Sequence, residues 1–384
     1  MVTKHGARDR SNPMTFEVER HVLRVAQWTT GNVAAEVVRA LTSRPDIAVV
    51  GVYTRSPEKA GVGLGTLCGL GRELGIRATI DADALLESRP DCVVYTPLYF
   101  NLAEVQRILR AGVNVVTSAE FMTGVNLSSD DRAALNSAAL AGGSSIFGSG
   151  MNPGFVQLAA AIASGVSTNV RRASVFESVD VSEFIGDANF ARVGWGRRRD
   201  DPGHVEDVRA GTAVFAEAVD VLARMLRVEL DEISCSVEFA HATQEAVADG
   251  VLIRDGHVGG IEVRWSGHQA GQEVVCVQQR WAATPLLEPA WHIEHGYLVD
   301  ISGDPNVRMK IDLLPTDADL ADWSPQRMRN IGLRITAAPL VNAIPAVCAA
   351  PPGIVTYAEL PAIAALLVPE SEAGHRRRTD EVIA

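Results

Sequence analysis

Leu23-Arg24-Val25-Ala26-Gln27-Trp28 runs into Thr29-Thr30-Gly31-Asn32, and from Val33 the apolar residues fall at helical spacing through position 41. A strand, a glycine turn and a helix in that order form the opening unit of a nucleotide-binding sheet. The chain downstream repeats the alternation. Residues 46–53 (DIAVVGVY) form a continuous apolar run, as expected of a strand covered on both faces. Helices are predicted over 83–87, 102–111 and 129–141, and strands over 91–95, 114–117 and 145–148. Strands alternating with helices of these lengths imply βαβ crossovers and a parallel sheet.

After about residue 154 the pattern changes. A small-residue helix over 156–164 precedes stretches at 172–181, 233–241, 259–267, 273–284, 294–301 and 307–313, which alternate apolar and polar residues. Such alternation marks antiparallel strands with one solvated face. A single helix is expected over 205–226. The fold class expected is α/β, a Rossmann-type doubly wound parallel sheet plus an α+β second domain with a mainly antiparallel sheet. The boundaries expected are a disordered tail over 1–20, a dinucleotide-binding domain over 21–153, and a substrate or dimerisation domain over 154–323. A helical segment over 324–369 is expected to pack back on the first domain, followed by a disordered tail over 370–384.

Composition narrows the function classes. The 384 residues carry 35 Lys and Arg against 47 Asp and Glu, a net charge of −12, which argues against nucleic acid or an anionic membrane as the main partner. The first twenty residues lack an apolar signal-peptide region, and the apolar run from 335 to 355 is interrupted by Pro339, Pro345, Pro351 and Pro352. The five cysteines are scattered and odd in number, which fits a reducing compartment, and a cytoplasmic location is expected. No His, Cys or carboxylate spacing suggests a metal.

In the turn Trp28-Thr29-Thr30-Gly31-Asn32-Val33-Ala34 only the middle glycine of GxGxxG remains, at Gly31; Thr29 and Ala34 hold the other two positions. An ordinary βα turn without a ligand is the competing reading. The second strand ends in Tyr53-Thr54-Arg55-Ser56-Pro57-Glu58-Lys59, with no carboxylate at its tip to take a ribose 2′-hydroxyl. Arg55, Ser56 and Lys59 suit a 2′-phosphate instead. NADPH or NADP is therefore expected, with NADH as the alternative. The residues expected to bind it are Thr29, Thr30, Gly31, Asn32, Val33, Thr54, Arg55, Ser56, Lys59, Tyr95, Thr96, Pro97, Asn152 and Pro153.

Ligands of open α/β sheets lie beyond the carboxyl ends of the strands. Glu120, in Ser118-Ala119-Glu120-Phe121-Met122, is the one acid in the three loops expected there. Partial desolvation beside a nicotinamide would raise its pKa toward an acid–base value, and its charge would offset a cationic iminium. A helix cap or a surface ion pair is the plainer role. Asn152 suits either a nicotinamide amide or the turn of Asn152-Pro153-Gly154. Tyr99, Phe155, Phe176 and Glu177 are the candidate substrate residues, although pairing within the sheet is the alternative for Glu177.

The motifs Thr29-Thr30-Gly31-Asn32-Val33, Ser56-Pro57-Glu58-Lys59-Ala60-Gly61, Ser118-Ala119-Glu120, Gly150-Met151-Asn152-Pro153-Gly154-Phe155 and Val341-Asn342-Ala343-Ile344-Pro345 resemble the family related to dihydrodipicolinate reductase by its N-terminal domain. Within it they look most like 2,4-diaminopentanoate dehydrogenase and the native NAD(P)H-dependent amine dehydrogenases. The resemblance implies a homodimer, a small carbonyl or amine substrate with ammonia, reductive amination and its reverse, and Glu120 as the pocket carboxylate. Relatives often carry a second acid in that loop, where this chain has Phe121. Two alternatives remain: a carbonyl or imine reductase that does not use ammonia, and an NADPH-binding redox sensor without turnover.

Overall fold

The computed structural model describes residues 22–367. Its first sheet is built from β1 (Leu23–Trp28), β2 (Ile47–Tyr53), β3 (Ala78–Thr79), β4 (Cys92–Tyr95), β5 (Asn114–Thr117) and β6 (Ser145–Gly148), with the late strand Gly353–Ile354 beside β6. The order across the sheet is β3-β2-β1-β4-β5-β6 and then the late strand, and every pair is parallel. Side chains alternate across it. Val25, Cys92, Val94, Val116 and Phe147 pack one way, with Val37 and Leu41 of α1 (Asn32–Thr42). Ala26, Trp28, Val93, Tyr95 and Val115 pack the other way. They meet α3 (Ala82–Glu87), α4 (Leu102–Arg110) and α5 (Ser129–Gly142), α2 being the single turn Leu64–Leu67. Asp81, Asn101 and Ser128 cap α3, α4 and α5 by accepting the third-position N–H, which sets where each helix starts.

The second sheet contains β7 (Thr168–Asp180), β8 (Glu232–Ala242), β11 (Val258–Gln269), β12 (Gln272–Ala282), β13 (Leu287–Glu288), β14 (Gly296–Asp304) and β15 (Val307–Ile311). A hairpin of β9 (Ala246–Ala248) and β10 (Val251–Ile253) stands apart from it. The order is β13-β8-β11-β12-β7-β14-β15; only β12 and β7 run parallel. One face is apolar and buried under α6 (Val156–Ala163), α8 (His204–Gly211) and α9 (Val214–Met225), with α7 (Ala188–Ala191) at its edge. The helix expected over 205–226 is in fact α8 and α9. The Gly211 carbonyl accepts from the Arg192 guanidinium (3.2 Å from Nε, 2.9 Å from Nη2) and is lost to the helix ladder.

The opposite face of this sheet is polar and ion-paired. Glu273 accepts from Arg264 (2.7 Å), Arg172 (2.7 Å) and Ser266 (2.6 Å). Burial alone would raise its pKa, but these donors outweigh it and hold the carboxyl at about 2, below its ordinary 4.5. A depressed carboxyl adds stability above the unfolded value, and that stability is lost as pH falls through the folded one. Glu273→Gln is thus expected to lower the denaturant midpoint at neutral pH. The gap from wild type should narrow between pH 4.5 and about 2. A gap constant with pH would refute this account of the charge cluster.

The last long helix, α11 (Pro325–Cys348), follows the short α10 (Asp317–Ala321) and continues through Pro339 and Pro345. Length and composition alone would let α11 cross a membrane, but Leu340, Val341, Ile344 and Val347 are buried against the first sheet. Its earlier part reaches the second domain, where Arg329 binds the Glu183 carbonyl and Asp187.

Candidate active site

The strand order reverses between β1 and β4, and a cleft of 280 Å³ opens at their carboxyl ends. Thr29, Thr30, Gly31, Thr54, Arg55, Ser56, Lys59, Thr96, Pro97 and Leu98 line it, so nine of the fourteen residues expected to hold a nucleotide share one cavity. The left-handed residue of the turn is Thr29 (φ 77°), at the position of the first glycine of the GxGxxG turn. A non-glycine there costs about 1–3 kcal/mol. Gly31 is extended, and a Cβ added to it would meet nothing within 4 Å. Its missing side chain leaves open space over the turn. No side chain caps α1 and no acid stands in its first turn, so the first N–H groups, at Asn32 and Val33, are left for an anion. The buried Thr29 hydroxyl has no partner either. These features fit the pyrophosphate of a nicotinamide dinucleotide.

The cations beside this cradle differ from expectation. Arg55 is not a free guanidinium. Its Nη2 pairs with Glu104 of α4 at 2.5 Å and lies 3.4 Å from the Tyr95 hydroxyl. Tyr95 itself donates to Glu104 at 2.6 Å. Burial, and then Glu104, pushes the Tyr95 phenol well up, so it keeps its proton. Lys59 reaches the turn instead, with Nζ 3.2 Å from the Thr30 hydroxyl and 3.4 Å from its carbonyl.

Glu120 stands at the carboxyl end of β5 in a strained left-handed conformation (φ 46°). Partial desolvation is what the sequence leads one to expect here. The side chain retains 32% exposure and pairs with Arg192 of the second domain. The loop that presents it is pinned from below by Glu217 in the first turn of α9. Glu217 is 1% exposed and accepts the N–H groups of Met122, Thr123 (2.9 Å), Gly124 (3.2 Å) and Asn126 (3.4 Å). Burial raises its pKa against the pull of those amides. Nothing in the sequence near Glu217 marks this role, because its partners lie 91–95 residues away. Phe121 holds the second-acid position for a packing reason: its ring stacks on Phe100 with centroids 5.0 Å apart.

Other residues take different places. Asn152 is committed to Glu177 (2.6 Å) and accepts from Gln157 (2.9 Å), so its amide is a fastener of the interdomain loop and not a free hand for nicotinamide. Pro153 follows it in that loop. Glu177 also accepts from the Trp281 indole (2.8 Å). It is 8% exposed and its pKa is raised by burial. Phe176 cannot share a pocket with Glu177, since neighbours on a strand face opposite sides. Arg280 stacks over Phe176 on the outer, polar side of the sheet. Tyr99, next to the cleft-lining Leu98, is 55% exposed, and Phe155, in the interdomain loop after β6, is 37% exposed; neither lines the cleft. Val33 packs inward beneath the turn.

A parallel sheet with an open glycine turn at its switch point, joined to an α+β domain, is the architecture of an NAD(P)-dependent oxidoreductase acting on a small molecule. Residues 157–376 match the 2,4-diaminopentanoate dehydrogenase C-terminal domain, and the chain belongs to that family. An amine dehydrogenase of Streptomyces virginiae is 28% identical over 301 residues, 74% of this chain and 83% of that protein. The amine dehydrogenase of Mycobacterium smegmatis has the same fold, with a TM-score of 0.72 at 24% identity over 90% of this chain and 99% of that one. An Agrobacterium radiobacter oxidoreductase solved with NAD+, L-tartaric acid and magnesium reaches a TM-score of 0.51 at 15% identity, covering 86% and 90%.

Proposed function

We propose that this chain is an amine dehydrogenase that uses NADPH in preference to NADH and converts a small ketone or aldehyde and ammonia to an amine, or the reverse. The observation that carries the reading is Glu120, an acid on a strained, amide-pinned loop at the carboxyl end of β5, ion-paired with Arg192 of the second domain. When bound, the nicotinamide supplies or takes the hydride. The chain's own residues position and balance charge. The Glu120 carboxylate offsets the positive charge of an iminium carbon–nitrogen group and relays a proton at its nitrogen. Arg192 fixes one carboxylate oxygen while the Gly211 carbonyl fixes Arg192. Arg55 and Lys59 are the two cations that line the nucleotide cleft, and a guanidinium at the end of β2 is what would take the extra phosphate.

The test is NADPH oxidation by the purified protein with a panel of short ketones and aldehydes, with and without ammonium. Consumption that requires both carbonyl and ammonium is expected. Consumption unchanged without ammonium would assign a carbonyl or imine reductase instead. Tight nucleotide binding with no consumption on any carbonyl would assign a sensor.

A further inference from the structure

No acid stands at the tip of β2 in the sequence, yet one reaches Arg55 there in space. Glu104 sits in the first turn of α4, its N–H held by Asn101 (3.0 Å), and is 15% exposed. Its Oε2 takes Arg55 at 2.5 Å and Tyr95 at 2.6 Å. Tyr95 is itself buried, its ring edge-on to Phe100 at 6.3 Å. The carboxylate is thus held against Arg55, which lines the cleft, while Glu104 itself does not line it.

We propose that Glu104 limits the preference of this cleft for NADPH over NADH, taking in part the role of the carboxylate that NAD-binding folds place at the end of the second strand. The inference rests on the nucleotide cleft proposed above and concerns how that cleft discriminates. Two ligands differ only by a phosphate or a hydroxyl at the ribose 2′ position. A hydroxyl is neutral and can donate to a carboxylate. A phosphate is an anion, and must either take Arg55 from Glu104 or approach with Glu104 close behind it. The charge of Glu104 cancels that of Arg55, so Lys59 is left as the net positive charge among the cleft-lining side chains. The balance between the two nucleotides follows from the Glu104 charge.

Glu104→Gln keeps the length and an acceptor for both Arg55 and Tyr95, and removes only the charge. The dissociation constants of NADPH and NADH would be measured by fluorescence quenching for the wild type, Glu104→Gln and Glu104→Asp. In Glu104→Gln the preference should move toward NADPH by about tenfold, the scale of one charge–charge contact in partly screened surroundings. Glu104→Asp withdraws the charge without deleting it, and an intermediate shift is expected, which keeps the test alive should the first variant fold poorly. A ratio that stays at the wild-type value, or moves toward NADH, overturns the proposal alone. A wild type that binds neither nucleotide overturns it together with the cleft reading.

Discussion

Glu120→Gln is expected to bind NADPH as the wild type does and to lose turnover by roughly 10²–10⁴-fold, the range for a positioned acid–base group. The amide has the same shape and can still accept from Arg192, so the interdomain contact is largely kept. What disappears is the negative charge beside the carbon–nitrogen group and the ability to move a proton. Nucleotide titration and steady-state kinetics on one preparation separate the two. An active Gln variant would remove Glu120 from the chemistry and leave its strained backbone without a functional reason.

Glu217→Ala carries the largest stability effect expected. It would strip the acceptor from the N–H groups of Met122, Thr123, Gly124 and Asn126 and open a gap at a side chain 1% exposed. Breaking a buried charged hub of this kind costs about 3–5 kcal/mol. The loss should appear as a lower denaturant midpoint and as faster hydrogen exchange at Met122, Thr123 and Gly124. Because those amides pin the loop bearing Glu120, activity should fall as well, while nucleotide binding in the cleft, none of whose lining residues belongs to that loop, should persist. A midpoint equal to wild type would show that water or loop movement satisfies those amides.

The two effects are connected through one design. The loop after β5 is held from the second domain at both levels, by Glu217 beneath and Arg192 above. Arg192 can approach because position 211 is glycine, whose added Cβ would lie 3.0 Å from Val193 and 3.4 Å from Arg192. The same contact removes the Gly211 carbonyl from its helix and separates α8 from α9. A helical period in sequence cannot register such a break, since it originates in a side chain nineteen residues earlier.

Local chemistry was enough for the parallel sheet, the crossover helices, the nucleotide turn and the identity of most of the cleft lining. Hydrophobic period, caps and turn residues act over a few positions, and the cleft lies where short loops leave adjacent strands. The partners of the charged groups were not legible in this way. Arg55 in isolation reads as a free phosphate clamp, but folding delivers Glu104 to it from 49 residues away. Glu177 and Phe176, neighbours in the chain, are sent to opposite faces of one sheet by its pleat, one into Asn152 and Trp281 and the other under Arg280. A charge is defined by what surrounds it, and what surrounds these charges comes from distant segments brought together by packing.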